Sequence, residues 1–436
     1  MSLDKLKLSK QLLTSLQESG LTDALPLQSK VIPRINGGQG VVCIAPEGCG
    51  KSSSIVLSVI NRLKFPFEEV PRALILVPDR DRATLLLEKF EEFNTKSGLR
   101  IITVYAGAGI DGQREAITEG VDIVIGTPDR VLALYLKSGL NINKLQQFIL
   151  DDAELIVKQG LQTQVHQITL SLPKCQHLVF TEVYHEKLER MISYIENPVM
   201  VEFEPEPETI LETIPQLVYQ VPNYKTKQNL LNLLMSETDT YRKVLIFVKT
   251  RLTCQNLFKS LDRRFPGEVA ILKPLVYEHQ GFKSVEEFKK SAKCRILLIA
   301  NEIEQFINYT DIQYILHFDL STDIEQYIER VKISNFTDPA PVSITFSTDI
   351  ELVISRKIEV MTGNKMVVEP LPPGLVIQGD RKKKVVETDS KGFEKSADPN
   401  QGAYHEKKAT NAKDYNWGWK EKNKLFGKKY KRSNKK

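Results

Sequence analysis

Short apolar runs alternate with longer amphipathic stretches through the first 202 residues. Val41–Ile44, Ala73–Val77, Arg100–Tyr105, Val121–Ile125, Gln147–Leu150 and His177–Phe180 are the predicted strands. Most are apolar at consecutive positions, the pattern of strands buried on both faces. Helical spacing fills the gaps, as in Ser53–Leu63, Arg82–Thr95 and Lys187–Ile195. Strand and helix in alternation predict an α/β fold with a parallel sheet covered on both sides. A second series repeats the pattern, with strands at Gln216–Gln220, Val244–Val248, Val269–Leu272, Arg295–Ile299, Tyr314–Phe318 and Val342–Phe346. Its helices include Lys225–Met235 and Thr253–Arg263, and Ile350–Thr362 reads as a closing helix. Between the two series lies Glu202-Phe203-Glu204-Pro205-Glu206-Pro207-Glu208, acidic and proline-broken, which reads as a linker. The expected organisation is a domain over 1–202, a linker over 203–212, a second domain over 213–365 and a tail over 366–436.

Composition changes this picture mainly at the C-terminus. The chain has 436 residues, 41% of them hydrophobic, enough for two packed cores. No apolar stretch is long enough to span a membrane, and Met1–Lys10 is charged and amphipathic, unlike a secretory leader. Five scattered cysteines without a Cys-x-x-Cys pair suit a reducing cytoplasm and argue against a disulfide framework or a zinc site. The net charge of +5 is uneven: residues 379–436 hold 18 Lys and Arg against 8 Asp and Glu, and the remainder holds 42 against 47. Basic runs such as Arg381-Lys382-Lys383-Lys384 lack apolar periodicity and predict disorder in the free chain. Interleaved Tyr415, Trp417, Trp419, Phe426 and Tyr430 suit a phosphate backbone with base stacking, so the expected partner is nucleic acid; the alternative is a solubilising tail.

The densest chemical signal is Ala45-Pro46-Glu47-Gly48-Cys49-Gly50-Lys51-Ser52, which has the glycine, lysine and hydroxyl spacing of a phosphate-binding loop between a predicted strand and helix. Gly48 and Gly50 let successive N–H groups face a phosphate, helped by the positive end of the following helix. Lys51 is expected to reach the β- and γ-phosphates and Ser52 to hold Mg²⁺. Pro46, Gly48, Cys49, Gly50, Lys51, Ser52 and Ser53 are therefore the candidate cofactor cradle, with Cys49 as a small filler. Leu150-Asp151-Asp152-Ala153-Glu154 is an acidic stretch that ends another predicted strand.

In their order along the chain these motifs resemble the DEAD-box RNA helicases over roughly Leu6–Phe346, which implies two RecA-like lobes in tandem. Gly20-Leu21-Thr22-Asp23-Ala24-Leu25-Pro26-Leu27-Gln28 resembles the adenine-reading Q segment, with Gln28 as the adenine contact. Leu6 replaces the usual upstream aromatic, which weakens base stacking. Pro78-Asp79-Arg80, Tyr105-Ala106-Gly107 and Thr127-Pro128-Asp129-Arg130 resemble the family's RNA-backbone motifs. The resemblance thus implies RNA contacts from Arg80, Gly107, Thr127, Pro128 and Arg130 in the first lobe. Leu245–Thr250 and His317–Leu320 mark the second lobe, where Lys249 and Arg330 are the implied RNA contacts. The implied cofactors are ATP and Mg²⁺, the catalytic residues Lys51, Asp151 and Asp152, and the metal ligands Ser52 and Asp151.

Departures from the family pattern accumulate downstream. Asp152 stands where the family has the glutamate that positions water and is one methylene shorter, and Glu154 replaces the last aspartate. Thr181-Glu182-Val183 aligns with Ser-Ala-Thr, which couples hydrolysis to lobe movement. Asn301–Ile307 lacks the arginine and glycine of Thr-Asp-x-x-x-Arg-Gly. In Glu329–Phe336 only Arg330 matches the family's His-Arg-x-Gly-Arg-x-x-Arg, and Ile333 and Phe336 fall where its later arginines belong. An arginine finger is worth about 10³–10⁵ in rate. Three readings stay open: an ATP- and RNA-binding protein with weak or lost hydrolysis, a working ATP-dependent RNA helicase, and an RNA-binding scaffold. The expected state is a monomer. The basic tail resembles the bacterial branch of the family, whose settings are ribosome assembly and RNA turnover.

Overall fold

The computed structural model describes residues 3–378 except 66–68, 96, 108, 138, 206–209, 275–279, 304–311, 322 and 334–340. The first sheet is built from β1 (Val41–Ile44), β2 (Ala73–Leu76), β3 (Ile101–Val104), β4 (Ile123–Gly126), β5 (Gln147–Leu150), β6 (Gln176–Thr181) and β7 (Val199–Glu202). Its order is β3-β4-β2-β5-β6-β1-β7, every pair parallel. The second sheet holds β8 (Gln216–Val221), β9 (Val244–Val248), β10 (Val269–Leu272), β11 (Gly281–Phe282), β12 (Ile296–Ala300), β13 (Tyr314–His317), β14 (Val342–Thr348) and β15 (Val367–Val368). Its order is β11-β10-β12-β9-β13-β14-β8-β15, again parallel throughout.

Consecutive apolar residues explain why both faces of each sheet are covered. Side chains alternate across a strand, so a run without polar gaps feeds two cores at once. In the first sheet Val41, Cys43, Ile75 and Ile149 enter one core, while Val42, Leu74, Phe148 and Leu150 enter the other. The second sheet divides the same way, with Val244, Ile246 and Leu298 on one side and Leu245, Phe247 and Leu297 on the other. Among the described residues no helix is long and apolar enough to cross a membrane.

Every predicted strand forms, with ends shifted by a residue or two. Three strands were not predicted: the edge strand β7 and the two-residue strands β11 and β15, too short to leave a periodic signal. Met366 is only 4% exposed and Leu371 and Leu375 pack against the second core. Met366, Leu371 and Leu375, placed with the tail by sequence, therefore pack with the second domain. The basic runs and aromatics of 379–436 fall outside the described residues.

One buried ionic group ties the start of β4 to its neighbours. Asp122 is fully buried and accepts from Arg72 Nη2 at 2.8 Å, Arg100 Nε at 2.9 Å and the Arg100 backbone N–H at 3.0 Å. Burial opposes its ionisation, but the hydrogen bonds from Arg100 and Arg72 outweigh it and hold the carboxyl below its ordinary value. A carboxyl depressed in the fold stabilises above its unfolded pKa and loses that contribution as pH falls through the folded one. Asp122→Asn, which strands the buried Arg72 guanidinium and weakens the more exposed Arg100 contact, should cost about 3 kcal/mol in urea unfolding at pH 7. The gap between wild type and variant should shrink as pH is lowered below about 4.

Candidate functional site

Parallel pairing sets the C-terminal ends of the strands side by side. Ile44 pairs with Thr181, Leu150 with Val179, Leu76 with both Leu150 and Gly126, and Val104 with Gly126. The loops that follow these strands thus share one edge of the sheet, where open α/β sheets bind ligands. Strand order divides the edge. The phosphate loop, Asp151-Asp152 and Thr181-Glu182 follow β1, β5 and β6, while the Arg80, Gly107 and Thr127 segments follow β2, β3 and β4.

The phosphate loop has the backbone its glycines forecast. Gly48 and Gly50 sit at φ +82° and +93°, in the left-handed region that side chains disfavour. A Cβ at Gly50 would also lie 2.7 Å from Leu25 Cδ1 and 3.3 Å from Gln28 Nε2. Glycine therefore lets the Q segment close over the loop. Gln28 is buried, with Oε1 accepting from the Leu25 N–H at 2.9 Å. Leu6 is fully buried in the core and presents no face to a base. Lys51, the first residue of the helix Lys51–Leu63, is 7% exposed. Its Nζ donates to the carbonyls of Ala45 at 2.8 Å and Pro46 at 3.1 Å and stands 3.6 Å from Glu182 Oε1.

The acidic strand ends gather beside it. Asp151 is buried, and burial together with the Asp152 carboxylate pushes its carboxyl up. Asp152 adopts φ +47°, which turns the chain into the next helix, and pairs with Arg82 Nε at 3.2 Å. Glu154 Oε2 accepts from Thr181 Oγ1 at 2.7 Å and from the Glu182 N–H at 3.3 Å. The longer side chain at 154 thus still links this segment to the Thr181-Glu182-Val183 turn. Burial pushes the Glu154 carboxyl up to about 7. Carboxylate oxygens of Asp152, Glu154 and Glu182 lie within 4.8 Å of one another, all three buried. This all-oxygen donor set fits a hard cation such as Mg²⁺. Ser52 is partly exposed in the first turn of the loop helix.

On the other half of the edge, the Arg80 guanidinium carbon lies 5.2 Å from the Tyr105 ring centre. Arg130 Nε donates to the Tyr105 carbonyl at 3.1 Å. Thr127 and Pro128 start the helix Pro128–Leu136, and the buried Thr127 Oγ1 makes no hydrogen bond. Gly107, at φ +105°, has open space where a Cβ would be. The structure thus brings Arg80, Gly107, Thr127, Pro128 and Arg130 together. In the second domain Lys249 is exposed after β9, its N–H donating to Asp319 Oδ2 at 3.1 Å. Arg330 is enclosed instead. Its guanidinium carbon stands 3.8 Å from the Phe247 ring centre, and Nη1 donates to Asn301 Oδ1 at 2.8 Å. An RNA contact from Arg330 would require it to leave these partners. Ile333 is exposed, whereas Glu304–Ile307 and Phe336 lie outside the described residues.

Three groups at the loop escaped the sequence reading. Arg82 bridges Asp152 and Glu47, the latter at 3.6 Å. Lys357, on the second-domain helix Leu352–Thr362, reaches Glu47 Oε2 at 2.7 Å, and this hydrogen bond holds the Glu47 carboxyl below its ordinary value. Glu182 was visible only as a departure from a motif. Arg82 had one local cue, its place in the first turn after Asp79; Lys357 had none.

Two domain profiles agree with this architecture. The profile of the DEAD/DEAH box helicase domain matches residues 25–191, and that of the helicase conserved C-terminal domain matches residues 225–332. An ATP-dependent RNA helicase RhlB from Shewanella amazonensis is 25% identical over 381 residues, covering 83% of this chain and 86% of its own. RhlB from Pseudomonas putida is 25% identical over 387 residues, covering 86% and 96%. The DEAD-box ATP-dependent RNA helicase 40 of Oryza sativa is 27% identical over 351 residues, 78% of this chain and 43% of that one. Among solved structures, a DEAD box protein from the hyperthermophile Methanococcus jannaschii is 24% identical with a TM-score of 0.47, covering 85% of this chain and 99% of that one. S. cerevisiae Dbp5 bound to RNA and ADP BeF3 is 22% identical with a TM-score of 0.46, covering 85% and 96%. With the two helicase domains in tandem, each on its own parallel sheet, the chain belongs to the DEAD/DEAH box helicase family.

Proposed function

We propose that this chain is an ATP- and RNA-binding DEAD-box protein in which hydrolysis and unwinding are weak or lost. It acts as a nucleotide-dependent RNA clamp, in the cytoplasm and as a monomer. The observation that carries the reading is an imbalance. The first domain keeps a glycine-shaped phosphate loop with Lys51 buried at its end and Asp151 beside it. In the second domain, Ile333 is exposed where the family pattern has an arginine. Gln28 would read the base, and the loop N–H groups with Lys51 would hold the phosphates. Ser52 and Asp151, with Asp152, Glu154 and Glu182 nearby, would hold Mg²⁺. When bound, the ion would offset phosphate charge and orient the terminal phosphate. Asp152, the candidate for positioning water, is drawn to Arg82 at 3.2 Å. A misplacement of about 1 Å in such a group costs on the order of 10²-fold.

RNA would lie along the Arg80–Arg130 half of the edge, its phosphates meeting guanidinium groups and helix N-termini. The basic tail would add contacts to phosphates and bases. Partners in ribosome assembly or RNA turnover would follow from the resemblance of the basic tail to the bacterial branch of the family. A second reading, an active ATP-dependent RNA helicase, is favoured by Lys357. This second-domain cation already touches the phosphate loop through Glu47. A lysine, however, lacks the planar fork of an arginine.

Lys51→Ala should abolish binding of a fluorescent ATP analogue, measured by anisotropy; equal affinity in wild type and variant would sink the nucleotide site. Deleting residues 379–436 should flatten the slope of log affinity for single-stranded RNA against log salt, since each lost phosphate contact removes about 0.7 from it. An unchanged slope would exclude the tail as the main RNA contact.

A further inference from the structure

We infer that Glu182 occupies the place of a nucleotide's terminal phosphate, so that the loop selects nucleoside diphosphates against triphosphates. The inference rests on the nucleotide-site reading of the same loop. Lys51 has three N–H donors. Two are directed to the Ala45 and Pro46 carbonyls at 2.8 and 3.1 Å, and the third side of the ammonium faces Glu182 Oε1 at 3.6 Å. The Lys51 and Glu182 side chains are 7% and 6% exposed, so water screens this pair little. A phosphate-loop lysine ordinarily spans the β- and γ-phosphates. Here an anion of the chain itself already stands beside the ammonium.

The position of Glu182 makes this arrangement durable. It follows β6 directly, next to β1 and the loop, and its backbone N–H donates to Glu154 Oε2 at 3.3 Å. The carboxylates of Asp152, Glu154 and Glu182 share one small volume, and Arg82, the cation nearest Asp152, also serves Glu47. A terminal phosphate entering there must displace Glu182 from Lys51 and leave that carboxylate among its own kind. A diphosphate ends at the β-phosphate. It can use the loop N–H groups and draw Lys51 from the Ala45 and Pro46 carbonyls while Glu182 stays in place. The family motif resembled by Thr181-Glu182-Val183 has alanine at this position and supplies no such anion.

The test is competition of unlabelled ADP and of a non-hydrolysable β,γ-imido ATP analogue against a fluorescent ADP. It uses the full-length protein at fixed Mg²⁺, with wild type, Glu182→Ala and Glu182→Gln. Glu182→Gln keeps the shape and removes the charge; circular dichroism and thermal melting report whether each variant is folded. Both variants should raise the ratio of triphosphate-analogue affinity to diphosphate affinity about tenfold or more over wild type. A triphosphate-to-diphosphate ratio unmoved by Glu182→Gln would overturn the inference while leaving the nucleotide site standing. Failure of wild type to bind either nucleotide would overturn the nucleotide-site reading and this inference with it.

Discussion

A strand that is apolar at every position has no face to offer water, and a parallel sheet built from such strands must be crossed over by helices on both sides. That constraint orders the rest of the molecule. Crossovers bring each strand's C-terminal loop to the same edge, and the order β3-β4-β2-β5-β6-β1-β7 then decides which loops are neighbours. The phosphate loop after β1 lies beside Glu182 after β6 and one strand from Asp151 after β5. The Arg80, Gly107 and Thr127 segments after β2, β3 and β4 gather on the other half. Segments more than 100 residues apart in the chain become one site because hydrophobic burial fixes the register of short strands.

What distinguishes the site is its charge balance. Phosphoryl transfer needs cations where charge develops. Near the loop the described residues provide Lys51, Arg82 and Lys357, and each is already paired with a carboxylate: Glu182, Asp152 with Glu47, and Glu47. Carboxylates are plentiful, with Asp151, Asp152, Glu154 and Glu182 all buried. Desolvation makes this arrangement costly when unpaired, as the raised pKa of about 7 at Glu154 reflects. On the proposed reading, such a site holds a cation and a phosphate in place rather than turning over rapidly.

Much of the fold and part of the site were legible in the chain. Residues contiguous in sequence carry their own geometry, so Ala45–Ser52 announced its loop through glycines that need positive φ, and the strands announced themselves through unbroken apolar runs. β7, β11 and β15 were not legible because an edge strand or a two-residue strand leaves no period to count. Pairings such as Arg82 with Asp152, Lys357 with Glu47 and Asp122 with two arginines join residues far apart, and nothing local at either end specifies the partner. Arg330 shows the converse case. Its place in a motif suggested an exposed contact, yet the Phe247 ring and Asn301 make a better local home for the guanidinium than solvent.

The central claim is that nucleotide binding has outlasted turnover. Steady-state phosphate release from the full-length protein with excess ATP and Mg²⁺, with and without RNA, tests it most directly. The account predicts no RNA-stimulated release from protein that still binds nucleotide. RNA-stimulated release that disappears in Lys51→Ala would contradict it and identify a working motor.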